Sequence, residues 1–331
     1  MLSHHVIGLG VGGLVAGIVI LAVWAAIKKP WVPPVPMSLP GSTGIRVDSA
    51  GIFGNYFPAT REGNGPAIML LGGSEGGLSP VVTRHAQALQ KAGYSTFHFS
   101  WWRAPGQPQR IDRIPIESFE AALEWLRSRP GVDPTSIAVC GWSRGCEPAQ
   151  LLAISHPEIR AVVLGMPANA IWPGLDWNFL RGHPPIAWTI AGKPLPSVPE
   201  KGRAKKFMRP WTDEEFGRYM ESLETEPEAV IPVERIRAPI LVICGDVDRI
   251  WPSHRMGRAL RDRAKSFGKQ DVHLLIYEGT GHMAYGAPVP SDDATFSRQT
   301  RIGGGTVEKN KAALVDSFAK TLAFLDEAFR K

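Results

Sequence analysis

The chain has 331 residues, 44% of them hydrophobic and 21% charged, which is enough to bury one large core and permits one or two domains. A net charge of +6 suits an anionic substrate or an acidic lipid surface, and with no RNA- or DNA-reading motif it gives no ground for a nucleic-acid partner. Three cysteines, at 140, 146 and 244, cannot close a disulfide framework; they read as buried thiols of a reducing compartment, with no CxxC or Cys/His spacing for zinc and no other metal or cofactor implied.

Residues 1–29 stand apart. Val6 to Ile27 is a run of 22 residues without a charge. At about 1.5 Å per residue such a run spans a bilayer core of roughly 30 Å. It reads as one N-terminal transmembrane helix. A cleaved signal peptide is the rival, but it needs a basic n-region that Met1–His5 does not supply; a buried core helix is the third reading. Lys28 and Lys29 follow the run and favour a single-pass membrane protein with the remainder of the chain in the cytoplasm. Gly8/Gly12 and Gly13/Gly17 have the spacing of a helix-pairing motif, which chance explains as well in so glycine-rich a segment.

Residues 30–44 carry Pro30, Pro33, Pro34, Pro36 and Pro40 and read as a semi-rigid spacer. Residues 45–331 then alternate short apolar runs with amphipathic stretches. Ala67–Leu71, Ser95–Phe99, Ile137–Cys140, Ala161–Leu164, Ile240–Cys244 and Val272–Tyr277 have the length and β-branched content of buried parallel strands. The clearest helices are Ile116–Arg127, with Phe119, Leu123 and Trp125/Leu126 inward, and Lys311–Phe329. This alternation predicts an α/β, mostly parallel, doubly wound sheet. The stretch 167–239 between two strands is too long for a structureless loop. It reads as a cap insertion with a helix at Thr212–Leu223, opened by Thr-Asp-Glu-Glu.

Gly141-Trp142-Ser143-Arg144-Gly145 is a G-x-S-x-G elbow, preceded by a strand and followed by a helix, the context that gives the pattern meaning. It marks Ser143 as a nucleophile, which needs a base beside it. Tyr-Glu-Gly-Thr-Gly-His282 follows the last strand and supplies that base. Between them, Ile-Leu-Val-Ile-Cys-Gly ends in Asp246-Val-Asp248. Asp248 has the better reach to orient the imidazole; Asp246 is the alternative, otherwise a loop-capping acid. The chain order Ser…Asp…His is that of α/β hydrolases. Leu71-Gly-Gly-Ser-Glu-Gly-Gly77 lacks the lysine of a phosphate loop and reads as an oxyanion loop. Gly73 and Arg144 are then the backbone donors, with Ser74 the alternative to Gly73.

The segments Gly-Gly-Ser-Glu-Gly-Gly, Gly-Trp-Ser-Arg-Gly-Cys-Glu, Gly-Asp-Val-Asp-Arg-Ile-Trp-Pro-Ser and Gly-Thr-Gly-His, with the later Gly304-Gly305-Thr306, together resemble one family. It is the C-terminal catalytic domain shared by acyl-CoA thioesterases and bile-acid-CoA:amino-acid N-acyltransferase. The resemblance runs from about Val47 to Phe329 and implies an α/β-hydrolase fold with Ser143, Asp248 and His282 as the triad. It implies attack on an acyl thioester, an acyl-enzyme, and then hydrolysis or transfer to an amine. Two departures are visible. Larger animal members carry an N-terminal β-sandwich domain where this chain has its apolar run and spacer, and the nucleophile here is Ser rather than Cys, which favours water as acceptor.

The leading expectation is therefore a hydrolase of acyl thioesters of the fatty acyl-CoA type. A carboxylesterase or peptidase, an N-acyltransferase, and an idle membrane-anchored binding module are the alternatives. Ser74 and Trp102 are candidate substrate contacts, although Trp101-Trp102-Arg103 fits core packing equally well. Cys146 reads as packed in the elbow helix, and His254 as a helix-start residue. Lys201, Arg203, Lys205, Lys206 and Arg209 form a basic stretch with no acid among them. It is either solvated or, through Lys205 and Lys206, meets the phosphates of CoA or anionic headgroups.

Overall fold

The computed structural model describes residues 17, 18, 20, 21, 32–176, 185–203, 209–290 and 292–330. Residues Met1–Pro34 with Asp176–His183 form one compact unit, and Val35–Leu175 with Pro184–Lys331 form a second. The expected membrane segment Val6–Ile27 lies outside the described residues apart from Gly17, Ile18, Ile20 and Leu21, which are helical. Among the described residues no helix is long and apolar enough to cross a membrane.

The second unit carries, among its described residues, the strands β1 (Ile45–Ser49), β2 (Ile52–Phe57), β3 (Gly65–Leu71), β4 (Ser95–Ser100), β5 (Ile114–Pro115), β6 (Val132–Trp142), β7 (Ala161–Gly165), β8 (Trp188–Ile190), β9 (Lys193–Pro194), β10 (Ile240–Gly245) and β11 (Val272–Tyr277). Eight of them form one sheet in the order β1-β2-β4-β3-β6-β7-β10-β11. From β4 to β11 every neighbouring pair is parallel, while β1 and β2 join antiparallel at one edge. The central strands bury both faces, which is why β3, β7 and β10 read as unbroken apolar runs rather than alternating ones. The β1–β2 hairpin has no such run, and its turn is made by Ala50 and Gly51, both in the left-handed region at φ 51° and 80°. That pair gives the two-residue turn whose twist matches the flanking strands.

Helices α1 (Pro80–Lys91), α2 (Glu117–Arg127), α3 (Cys146–Ser155), α4 (Asp213–Thr225), α5 (Ser253–Ser266), α6 (Ala294–Gly303) and α7 (Val307–Arg330) cover the sheet and the insertion. Val82, Ala86 and Leu89 of α1 and Ala313, Leu314 and Leu325 of α7 pack with Ile68, Leu70, Ala138, Cys140, Val163, Leu241 and Ile243. Alternate residues of the same strands face the other way. There Gly257 of α5 lies so close to Val242 and Cys244 that an added Cβ would come within 2.8 Å of the Cys244 sulfur. The helix at 116–127 begins one residue later than expected. Phe119, Leu123 and Leu126 are buried as the pattern requires, whereas Trp125 is half-buried against Phe97 and Tyr56.

Between β7 and β10 the chain leaves the sheet. β8 pairs parallel with β5 and antiparallel with β9, forming a small second sheet. Helix α4 follows, opened by Thr212: its hydroxyl accepts from the Glu215 N–H at 3.2 Å, and the Glu215 carboxylate accepts from the Thr212 N–H at 2.9 Å. That reciprocal box explains why Thr-Asp-Glu-Glu starts a helix. Glu215 also takes both ends of the Arg209 guanidinium, at 2.9 and 2.5 Å. The basic stretch, which has no acid within it, thus finds one six residues on, at the start of the helix. Lys205 and Lys206 lie outside the described residues.

Candidate active site

The parallel strands β3, β6, β10 and β11 all deliver their carboxyl ends to one edge of the sheet, where such folds collect their chemistry. Ser143 stands directly after β6, with φ 52°, a left-handed conformation that costs an L-residue about 1–2 kcal/mol. The turn leaves no room at its flanks. A Cβ on Gly141 would come 2.7 Å from the Cα of Cys146, and one on Gly145 would strike the carbonyls of Leu71 and Gly72. Both glycines are therefore steric requirements. Ser143 keeps part of its surface exposed, while Trp142 and Arg144 on either side are buried.

Past β10, Asp248 is 3% exposed and collects four donors. Its Oδ1 accepts from the amides of Ile250 at 2.9 Å and Trp251 at 3.4 Å, and its Oδ2 from the Ser253 hydroxyl at 2.7 Å and His282 Nδ1 at 2.7 Å. A carboxylate only accepts, so the proton of that last bond sits on Nδ1, and Nε2 of His282 is left as the acceptor. Asp246 turns elsewhere and accepts from the Gly279 amide at 2.7 Å. The two loops are joined below. Arg249 N–H and His282 N–H both donate to the Gly303 carbonyl at 3.0 Å, and Gly281 N–H donates to Asn310 Oδ1 at 2.9 Å. Gly304, at φ 96°, touches the Val247 carbonyl so closely that no side chain fits. This accounts for Gly304-Gly305-Thr306. Trp251 donates to the Met166 carbonyl at 3.1 Å and sets its ring edge-on to His282, which accounts for Trp-Pro-Ser.

After β3, the loop at Gly72–Gly77 runs beside the elbow: a Cβ on Gly73 would stand 3.2 Å from Cβ of Ser143. Trp101 and Trp102 hold this loop from beneath, their indole N–H groups donating to the carbonyls of Gly72 at 3.1 Å and Gly73 at 3.3 Å. Trp102 exposes 0% of its surface and supports the loop, as the core-packing alternative has it. Ser74 is half-buried between Gly73 and Glu75. Cys146 donates to the Gly165 carbonyl at 3.2 Å, and burial pushes its thiol well above the ordinary value. His254 is the second residue of α5.

One part of the site was not read from the sequence. Glu147 is 0% exposed, with Oε1 3.2 Å from Arg144 and Oε2 accepting from the Trp188 indole at 2.7 Å and the Trp172 amide at 3.3 Å. The Arg144 guanidinium also donates to the carbonyls of Trp172 at 2.6 Å and Pro173 at 2.8 Å. Burial pushes the Glu147 carboxyl up to about 7, with Arg144 opposing. The pair ties the elbow to the insertion. Glu147→Ala strands a buried guanidinium, so denaturant unfolding should show a loss of about 3–5 kcal/mol. A loss below about 1 kcal/mol would mean that Arg144 is held well enough by the two carbonyls alone.

Known proteins bear on this geometry. Among solved structures, the DcsB complex with its substrate analogue matches 87% of this chain and 99% of its own, with a TM-score of 0.53 at 16% identity. The dienelactone hydrolase-like promiscuous phosphotriesterase P91 matches 86% and 98%, with a TM-score of 0.52 at 14% identity. These likenesses show an α/β-hydrolase fold. Among curated proteins, bile acid-CoA:amino acid N-acyltransferase of Mus musculus is 26% identical over 74% of this chain. Peroxisomal succinyl-coenzyme A thioesterase of Mus musculus is 22% identical over 86%, and acyl-coenzyme A thioesterase 6 of Homo sapiens is 25% identical over 80%. The chain spans 54%, 65% and 60% of those three relatives. Residues 114–331 match the family described as BAAT / acyl-CoA thioester hydrolase C terminal, and the chain belongs to that family.

Proposed function

We propose that the chain is a serine hydrolase that cleaves acyl thioesters, with CoA esters as its substrate class. The observation that carries the reading is the alignment of three strand ends: a strained Ser143, and a His282 whose Nδ1 lies 2.7 Å from the buried Asp248. In this mechanism His282 Nε2 takes the Ser143 proton as Oγ attacks the thioester carbonyl. The amides of Gly73 and Arg144 receive the negative charge on oxygen. His282 then returns the proton to the departing thiolate, leaving an acyl-serine that water hydrolyses by the same route. The family description and the thioesterases among the relatives support the thioester class. The insertion from about 167 to 239 serves as cap, and its cations, Lys205 and Lys206 included, are the proposed partners of the CoA phosphates. The uncharged run Val6–Ile27 supports a membrane anchor on sequence grounds.

The test is a paired assay of one acyl chain carried as a CoA thioester and as a p-nitrophenyl ester. The CoA ester should be preferred in kcat/KM by about tenfold or more, equivalent to roughly 1.4 kcal/mol of extra transition-state binding. The preference should shrink as salt screens the phosphates. Parity between the two substrates would make the protein a carboxylesterase. An amide product on adding glycine would make it an acyltransferase.

A further inference from the structure

Glu75 sits at the heart of the oxyanion loop, and no step above uses it. Its Oε1 accepts from the Gly73 N–H at 3.2 Å. A Cβ on Gly73 would meet Glu75 Oε2 at 2.9 Å and Cβ of Ser143 at 3.2 Å, so carboxylate and nucleophile stand against one face of the same glycine. A Cβ on Gly72 would lie 3.1 Å from Oε1, so both glycines make way for this carboxylate. The main chain around it is fixed, since the Glu75 carbonyl accepts from Arg103 at 3.1 Å and Gly76 packs against Trp102 and Arg103.

The amide of Gly73 is the donor that the proposed mechanism gives to the developing oxyanion. It cannot serve a carboxylate and an oxyanion at once, and two negative oxygens beside one N–H repel each other. A polar N–H left without an acceptor in a half-closed site is also unfavourable, by the desolvation penalty of an unpaired donor. We infer that Glu75 is a latch on the oxyanion site: its carboxylate occupies the Gly73 amide in the free protein, and the substrate's carbonyl oxygen displaces it. Glu75 is thus a positioning residue that sets how readily the site opens. Two further observations agree. Part of the residue is exposed, yet its carboxyl is enclosed enough that burial pushes its pKa up, with the Glu75 and Gly73 amides, the His282 charge and the Ser79 hydroxyl opposing. Burial thus disfavours the charged form where it sits, and the Ser79 hydroxyl beside the carboxylate is a partner other than the Gly73 amide.

The inference rests on Ser143 as nucleophile and Gly73 as oxyanion donor, and the experiment separates the two. A fluorophosphonate needs the same donors for its phosphoryl oxygen as a substrate carbonyl does, whatever the natural substrate. Its second-order labelling rate is measured on the full chain of wild type, Glu75→Gln and Glu75→Ala. Glu75→Ala should label roughly five- to thirtyfold faster, and Glu75→Gln, which keeps an acceptor but loses the charge, should fall between. The affinity for a trifluoromethyl ketone, which places an oxyanion in the site, should rise in the same order, and KM for the parent ester should fall with it, since its carbonyl oxygen displaces the same carboxylate. Equal or slower labelling by Glu75→Gln with an unchanged melting temperature overturns the latch. Wild-type protein that takes no label at Ser143 overturns the parent reading and the latch with it.

Discussion

Ser143→Ala is expected to lower turnover by on the order of 10⁴ to 10⁶, the loss typical of a triad nucleophile, and to abolish fluorophosphonate labelling. The variant should fold normally. Alanine and serine meet the same strain at φ 52°, and the glycines that permit the turn are untouched. Cys146 offers no substitute, because its thiol is buried, bonded to the Gly165 carbonyl and pushed far from ionisation. A variant that kept near-wild-type hydrolysis would sink the mechanism. A variant that lost activity together with its melting transition would say nothing of chemistry, so the two are measured side by side.

Asp248→Asn should cost about 10⁴ in kcat, while Asp246→Asn should cost less than about tenfold. All four groups around Asp248 are donors: two amides, the Ser253 hydroxyl and His282 Nδ1. An asparagine offers one acceptor oxygen to them and turns an NH₂ toward the rest. The least costly relief is for the imidazole to move its proton to Nε2, and an Nε2–H cannot accept from serine. Asp246 accepts from the Gly279 amide and lies near His254, and an asparagine oxygen can still accept that bond. Kinetics on both variants, with folding checked by circular dichroism, decide the ranking; the reverse order would move the acid to Asp246.

How much of this was legible in the chain follows from the range of the forces involved. The elbow was legible because sterics confine it to five neighbouring residues, and Gly141 and Gly145 are the only kind of residue that fits. The central strands were legible because burial on both faces leaves an unbroken apolar run. Two acids two residues apart are alike in type, and what separates them is which loop each faces, a matter of tertiary contact. Glu147 stayed hidden for the same reason: its partners Trp172 and Trp188 lie 25 and 41 residues away. Trp102 stayed open because a large aromatic after a strand end suits a pocket and a loop support equally, and its bond to the Gly73 carbonyl is a tertiary contact. The β1–β2 hairpin was missed because β2, an inner strand buried along its whole length, carries Gly54 and Asn55 and so shows neither an unbroken apolar run nor alternation.

The Gly303 carbonyl receives both the Arg249 and the His282 amides, so the loops that carry Asp248 and His282 hang from a single peptide later in the chain than either. Synthesis proceeds from the other end, and domains begin to organise as they emerge. The sheet strands from β1 to β11 all leave the ribosome before that peptide does. A nascent chain can therefore hold a formed sheet and an exposed serine while its imidazole and carboxylate still lack their common hook. Chemical competence would then arrive abruptly, with the passage of residues 303–310, rather than growing in step with the fold.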